Sequence, residues 1–171
     1  ETVYMVMAYE SGRSLQDHIL RQRDKGMNPL LSERFIRRCF DEVINGLREV
    51  HANKLLHLDL KPANIYLRVD GTPLLLDFGA ARQTLKTDMP KLYPMYTPGF
   101  APPELYVKNA QLGPWSDIYS IGATIFACMV GAPPQPADQR KTADKMDQHF
   151  DKLKGQYSED LLKAVQWCLK I

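Results

Sequence analysis

Most of the chain's hydrophobic and polar positions follow a helical rhythm. From Ser32 to about Ala52, the positions Phe35, Ile36, Cys39, Phe40, Val43, Ile44, Leu47, Val50 and His51 form one broad stripe, and Arg34, Arg37, Arg38, Glu42 and Arg48 lie opposite. That pattern predicts a long helix, N-capped by Ser32, that gives a main face to the core and leaves the arginines solvated. Ser14 is placed to cap a shorter helix to about Arg23, with Asp17 favouring its N-terminus. Between Asp117 and Val130 the pattern changes: Ile118, Tyr119, Ile121, Ala123, Ile125, Phe126, Met129 and Val130 point in nearly every direction. A helix that is apolar all round is buried. This one, capped by Ser116 and stopped by Gly131 and Pro133-Pro134, is expected at the centre of the fold. Residues 138–151 read as a polar surface helix, and Ser158 caps a last helix carrying Leu161, Leu162, Val165, Cys168 and Leu169.

Extended segments are few. Residues 2–8 read as a strand that is apolar on both faces, broken by Glu10-Ser11-Gly12; its edges need partners, so it is expected to be disordered or to pair with another chain, a route to self-association. Ile65–Arg68 and Pro73–Leu76 are two short pieces joined through Asp70-Gly71, a hairpin turn signal. Residues 80–100 have no period and read as a long loop of the kind that carries function, and Pro102-Pro103-Glu104 opens a short helix. The expected fold class is mainly α: a helical bundle around a buried central helix, with a small β-ribbon at a cleft.

Composition adds little. With 44% apolar and 25% charged residues in 171, one soluble globular domain is the expectation. A formal charge of +2 makes no case for nucleic acid or an anionic membrane. Cys39, Cys128 and Cys168 have no paired spacing and sit in apolar helical patterns, so they read as core residues in a reducing, cytoplasmic setting. The longest apolar run, Ile121 to Ala132, is too short to span a bilayer, so no membrane contact is expected within this segment. Trp115 and Trp167 read as packing anchors, and no metal spacing links His18, His51 and His149.

The dense chemistry lies in His57-Leu58-Asp59-Leu60-Lys61-Pro62-Ala63-Asn64, before the ribbon, and Asp77-Phe78-Gly79, after it. An acid, a base and an amide around a proline make a poor core and a good phosphoryl-transfer site, which needs a positioned hydroxyl, metal ions on the phosphates and a cation near the moving group. Asp59 offers an acceptor for a hydroxyl proton and Lys61 a positive charge. Asn64 and Asp77 offer hard oxygens suited to magnesium. Gly79 permits a tight backbone after the second acid.

These segments resemble the catalytic loop and magnesium-binding motif of eukaryotic-type protein kinases. Thr97-Pro98-Gly99-Phe100-Ala101-Pro102-Pro103-Glu104 is similar to their substrate-docking loop, with proline for the usual alanine, and Asp117-Ile118-Tyr119-Ser120-Ile121-Gly122 to the start of their central helix. The resemblance implies a Mg-ATP-dependent enzyme acting on Ser and Thr of protein substrates. It implies Asp59 as catalytic base, Lys61 on the γ-phosphate, Asn64 and Asp77 as metal ligands, Thr97 bracing Asp59 and Lys61, and Asp117 anchoring the loop backbone. His57 would be a scaffold residue beneath Phe78. Met7 would be the gatekeeper, Ala8 and Glu10 would bond the adenine edge, Ser14 would meet the ribose, and Tyr66 would form the adenine floor.

Departures refine the expectation. Leu58 stands where an arginine usually pairs with a phosphorylated loop, so activity is not expected to require phosphorylation of Thr84, Thr87, Tyr93 or Tyr96. Tyr66 is larger than the usual floor residue. No glycine-rich phosphate loop, strand lysine or partnering helix glutamate is present, nor the arginine that usually meets the residue at Glu104. The chain is therefore expected to be a C-terminal lobe fragment, 1–10 the last strand and hinge of the upper lobe and 11–171 the helical lobe, with negligible catalysis alone. The phrasing from Leu75 to Arg82, with the Ala101-Pro102-Pro103-Glu104 string, looks most like bacterial members. A pseudokinase scaffold and a small-molecule kinase of the aminoglycoside or choline type are the alternatives. The retained Asp59, Lys61, Asn64 and Asp77 count against the first, and Lys61, Gly79 and the Pro-Pro-Glu loop against the second.

Overall fold

The computed structural model describes residues 8–27, 30–77, 82–83 and 96–171. The expected strand at 2–8 apart from its last residue, together with Met7, Phe78, Gly79 and the phosphorylation candidates Thr84, Thr87 and Tyr93, lies outside the described residues.

In chain order come β1 (Gly12–Ser14), α1 (Leu15–Asp24), α2 (Glu33–Ala52), β2 (Leu55–Leu56), β3 (Ile65–Arg68), β4 (Pro73–Leu75), β5 (Arg82–Gln83), α3 (Pro114–Val130), α4 (Ala137–Arg140), α5 (Met146–Leu153) and α6 (Glu159–Cys168). Short 3-10 turns occupy Pro62–Asn64 and Pro103–Tyr106. Three serines cap helices as expected, each Oγ accepting an N–H three residues on: Ser14 from Asp17 at 3.0 Å, Ser32 from Phe35 at 3.3 Å and Ser158 from Leu161 at 3.3 Å.

α3 is the centre. Apart from Ile118, the helix is buried from Ser116 to Met129, and it packs against α2 and α6. Its start differs from expectation. The helix opens at Pro114, a residue with no N–H to lose at a first helical position. Ser116 sits two residues inside and its Oγ accepts the Gly113 N–H at 3.3 Å, capping backwards. On α2, Ile36, Cys39, Phe40, Val43 and Leu47 enter the core, whereas Ile44 stays exposed at the stripe's edge. Trp115 and Trp167 are not packing anchors: 56% and 64% of their surface is exposed. The surface helix expected at 138–151 is two helices, because the Arg140 guanidinium and the Met146 N–H both bind the Asp144 carboxylate and turn the chain between them.

The ribbon has three strands, in the order β1-β3-β4, all antiparallel. Its hairpin turns at Asp70-Gly71 as predicted, Asp70 Oδ1 accepting the Thr72 N–H at 2.8 Å. The third strand, β1, is an addition. Gly12 lies so close to β3 that a Cβ there would fall 2.1 Å from the Leu67 carbonyl oxygen. β2 and β5 form a separate antiparallel pair. Cys39 and Cys128 are buried free thiols and Cys168 is half-buried. No described helix is long and apolar enough to cross a membrane.

Candidate active site

The loop from His57 to Asn64 hangs from the central helix. Asp117, in the first turn of α3, is fully buried. Its Oδ1 accepts the Leu58 N–H at 2.8 Å, and its Oδ2 accepts the His57 N–H at 2.9 Å and His51 Nε2–H at 2.8 Å. A carboxylate away from water is costly unless such donors fill its lone pairs. His51 is the residue that sequence reading missed: instead of belonging to the apolar stripe, it closes α2 onto Asp117. Leu58 takes φ 63°, a conformation that costs a branched residue energy, and its bond to Asp117 offsets that cost. His57 is buried, its Nε2–H donating to the Leu76 carbonyl at 3.0 Å while Nδ1 accepts the Asp59 N–H at 3.4 Å. It thereby ties the loop to the end of β4.

Beyond this anchor the side chains converge. Lys61 Nζ donates to Asp59 Oδ2 and to Thr97 Oγ1, both at 2.8 Å, and Thr97 Oγ1 donates to Asp59 Oδ1 at 3.2 Å. Asn64 Nδ2 donates to the Asp59 carbonyl at 2.8 Å and to Asp59 Oδ2 at 3.0 Å. The Asp59 carboxylate thus takes three donors and, with about four lone-pair sites, has room for one more. Thr97 arrives from a turn in which the Phe100 and Ala101 N–H groups both bond its carbonyl at 3.1 Å. Gly99 has φ 88°, and a Cβ there would lie 2.8 Å from Pro133, so the turn needs glycine. The Glu104 carboxylate accepts from Ser116 Oγ at 2.5 Å, fastening the docking segment to the start of α3.

With its amide nitrogen engaged, Asn64 offers Oδ1 as a hard oxygen. The Leu76 N–H bonds the Asn64 carbonyl at 2.9 Å, and the exposed Asp77, at φ 59°, is the next residue along the chain. An amide oxygen and a carboxylate are the donor set that magnesium takes when substrate phosphates and water supply the rest. Among the described residues no group of three or more His, Cys, Asp or Glu could hold a metal by itself.

On the ribbon side, Tyr66 hydroxyl donates to the Glu10 carbonyl at 3.0 Å, and Arg68 pairs with the Glu10 carboxylate at 3.3 Å. Ser14 faces Tyr66 across β1–β3, its oxygen already serving as the α1 cap. Glu10, Ser14 and Tyr66 therefore meet at the ribbon, and Ala8 precedes them as exposed chain.

A model of the protein kinase domain matches residues 1–171. The chain is 30% identical over 165 residues to the mitogen-activated protein kinase pmk-3 of Caenorhabditis elegans, covering 96% of this chain and 34% of that protein. It is 32% identical over 173 residues to the serine/threonine-protein kinase STE20 of Candida glabrata, covering 99% of this chain and 18% of that one. A solved structure, "PpkA-294 apo form", superposes with a TM-score of 0.77 at 30% identity, covering 95% of this chain and 55% of that chain. The chain thus spans about a third or less of the length of these curated relatives.

Proposed function

The chain belongs to the protein kinase family, and we propose that it carries the catalytic-loop half of a Mg-ATP-dependent enzyme that moves the γ-phosphate to Ser and Thr hydroxyls of proteins. The observation that carries this reading is the ring of Asp59, Lys61, Thr97 and Asn64, held on a buried carboxylate. Asp59 orients the acceptor hydroxyl and takes its proton through its remaining acceptor capacity. Lys61, pivoting between Asp59 and Thr97, is the cation that meets the transferred phosphoryl. Asn64 and Asp77 would hold magnesium, which supplies charge neutralisation on the phosphates when bound. Ala8, Glu10, Ser14 and Tyr66, with Met7, form the nucleoside end of the cleft in this reading.

Within the family we read the chain as C-terminal lobe, with 1–10 as last strand and hinge and 11–171 as helical lobe. We place it in the cytoplasm, with residues 2–8 available for self-association. The reading as a bacterial member rests on the phrasing of residues 75–82 and of Ala101-Pro102-Pro103-Glu104 alone, since the curated relatives named above are eukaryotic. The test is transfer of radiolabelled γ-phosphate by the full-length protein to a panel of peptides, an aminoglycoside and choline, with Asp59→Asn as control. Label on Ser or Thr of peptides, lost in the variant, is the expected result. Label on the small molecules alone, or equal transfer by the variant, would overturn it.

A further inference from the structure

Tyr66 reaches a backbone atom that the ribbon itself does not use. On β3, Ile65 and Leu67 turn into the core, while Tyr66 and Arg68 turn the other way, towards residues 10–14. The Tyr66 hydroxyl donates to the Glu10 carbonyl at 3.0 Å. Its ring passes close to Gly12, where a Cβ would lie 2.8 Å from Tyr66 Cε1, so glycine leaves the ring its path. β1 does not need this bond. It is registered on β3 from Gly12 to Ser14, the Val69 N–H donates to the Ser11 carbonyl at 3.1 Å, and Arg68 holds the Glu10 carboxylate at 3.3 Å. What the hydroxyl adds is a donor on one particular acceptor. Among the described residues, the Glu10 N–H and the peptide groups of Ala8 have no hydrogen-bond partner. Glu10 therefore offers an open donor beside an occupied acceptor. Tyr66 also stands two residues past Asn64, with the extended Ile65 (φ −111°, ψ 118°) between them, about 7 Å along the chain. The contact to Glu10 is thus built on the strand that leaves the proposed metal-binding turn.

We propose that Tyr66 is a specificity-determining residue for the nucleotide: by occupying the Glu10 carbonyl, its hydroxyl favours adenine over guanine. This rests on the protein kinase reading above, in which backbone groups of Ala8 and Glu10 meet the base. Adenine carries an amino donor at position 6 beside a ring-nitrogen acceptor, and guanine an oxygen acceptor there beside a ring N–H donor. The open Glu10 N–H, with an Ala8 carbonyl, serves the adenine pair. Guanine reverses the pair. Its oxygen would take the Glu10 N–H, and its ring N–H would then need the Glu10 carbonyl, where it meets the Tyr66 hydroxyl. A carbonyl has two lone pairs, so guanine is disfavoured and not barred. A donor left without a good acceptor is what sets apart two ligands of nearly one shape.

Titration calorimetry of the full-length protein with magnesium and either ADP or GDP tests this without catalysis. The parent should bind ADP more tightly than GDP. Tyr66→Phe keeps the ring and removes only the hydroxyl. Relative to ADP, it should bind GDP about fivefold more tightly than the parent does, the worth of one neutral hydrogen bond. Tyr66→Leu also removes the ring, and should show the same shift in the ratio even if both nucleotides bind more weakly. Arg68→Gln frees the Glu10 carboxylate and leaves the carbonyl bond in place, so its ratio should stay that of the parent. An unchanged ratio in Tyr66→Phe, a ratio shifted as much by Arg68→Gln, or a parent that binds the two nucleotides equally would overturn the proposal and leave the kinase reading intact. A parent that bound neither nucleotide would overturn the kinase reading and this inference with it.

Discussion

Asp59, within the loop, and Asp117, on the helix that anchors it, are the same residue type, and their surroundings give them opposite tasks. Asp117 has no solvent contact and is filled by donors that cannot leave, two of them main-chain N–H groups. Asp59 is partly exposed and filled by side chains, two of which (Lys61 and Thr97) also bond each other. The first arrangement fixes a backbone and the second can accept a substrate. A buried carboxylate with rigid partners is strongly destabilised by losing any of them, while an exposed one contributes little to stability and can be spent on chemistry. That division follows from burial and donor type.

Substituting the two acids should therefore move different observables. Asp59→Asn should lower transfer by about a thousandfold or more while leaving the melting temperature nearly unchanged. Asp117→Ala leaves two loop amides and the His51 imidazole without their acceptor, at about 1–3 kcal/mol each. A loss of about 3–5 kcal/mol follows, read as a melting temperature lowered by roughly 10 °C. Asp117→Asn should be little better, since one of its two positions would set an NH2 against an N–H. If instead Asp117→Ala stayed folded and merely slow, the anchor would be catalytic and the contrast would fail. Thr97→Ala sharpens the other side. It removes an acceptor from Lys61 and a donor from Asp59, so kcat should fall about tenfold with stability held, and Thr97→Ser should restore most of it.

The features legible in advance were those written in local sequence. Ser14, Ser32 and Ser158 announce helix starts because each bonds an N–H three residues on. The all-round apolarity from Ile118 to Val130 announces a central helix because only burial accommodates it. Ser116 misleads for a local reason as well: its oxygen serves Gly113, behind it, so the helix begins earlier at Pro114. What was hidden depends on distant partners. β1 is three residues without alternation and exists through its register with β3. His51 reads as one more stripe position until Asp117, 66 residues away, gives its nitrogen a partner. Within the site, residue types were legible from the motif, whereas the closed ring through Thr97 required the turn at Gly99 to bring it across.

A third carboxylate, more exposed than either, anchors two elements and predicts the smallest effect. Glu33, near the start of α2, receives the Ser158 hydroxyl on Oε1 at 2.6 Å and the Ser158 N–H on Oε2 at 2.7 Å, with Arg37 Nε on Oε1 at 2.7 Å. It joins the beginnings of α2 and α6 as Asp117 joins α3 to the loop, but at the surface. The Ser158 hydroxyl, then its amide, hold the Glu33 carboxyl down at about 2, against an ordinary 4.5. A group depressed in the folded state contributes its full stability above the unfolded value and loses it as pH falls from about 4.5 towards 2. Solvent screening limits that contribution to no more than about 1 kcal/mol. Glu33→Gln should accordingly melt slightly below the parent at neutral pH, with the gap constant down to about pH 5 and closing as the solution is acidified towards pH 3. A gap that stayed flat across that range would mean that Glu33 holds α6 by shape and not by charge. A gap as large as that of Asp117→Ala would mean that burial is not what separates anchoring from exposed carboxylates in this fold.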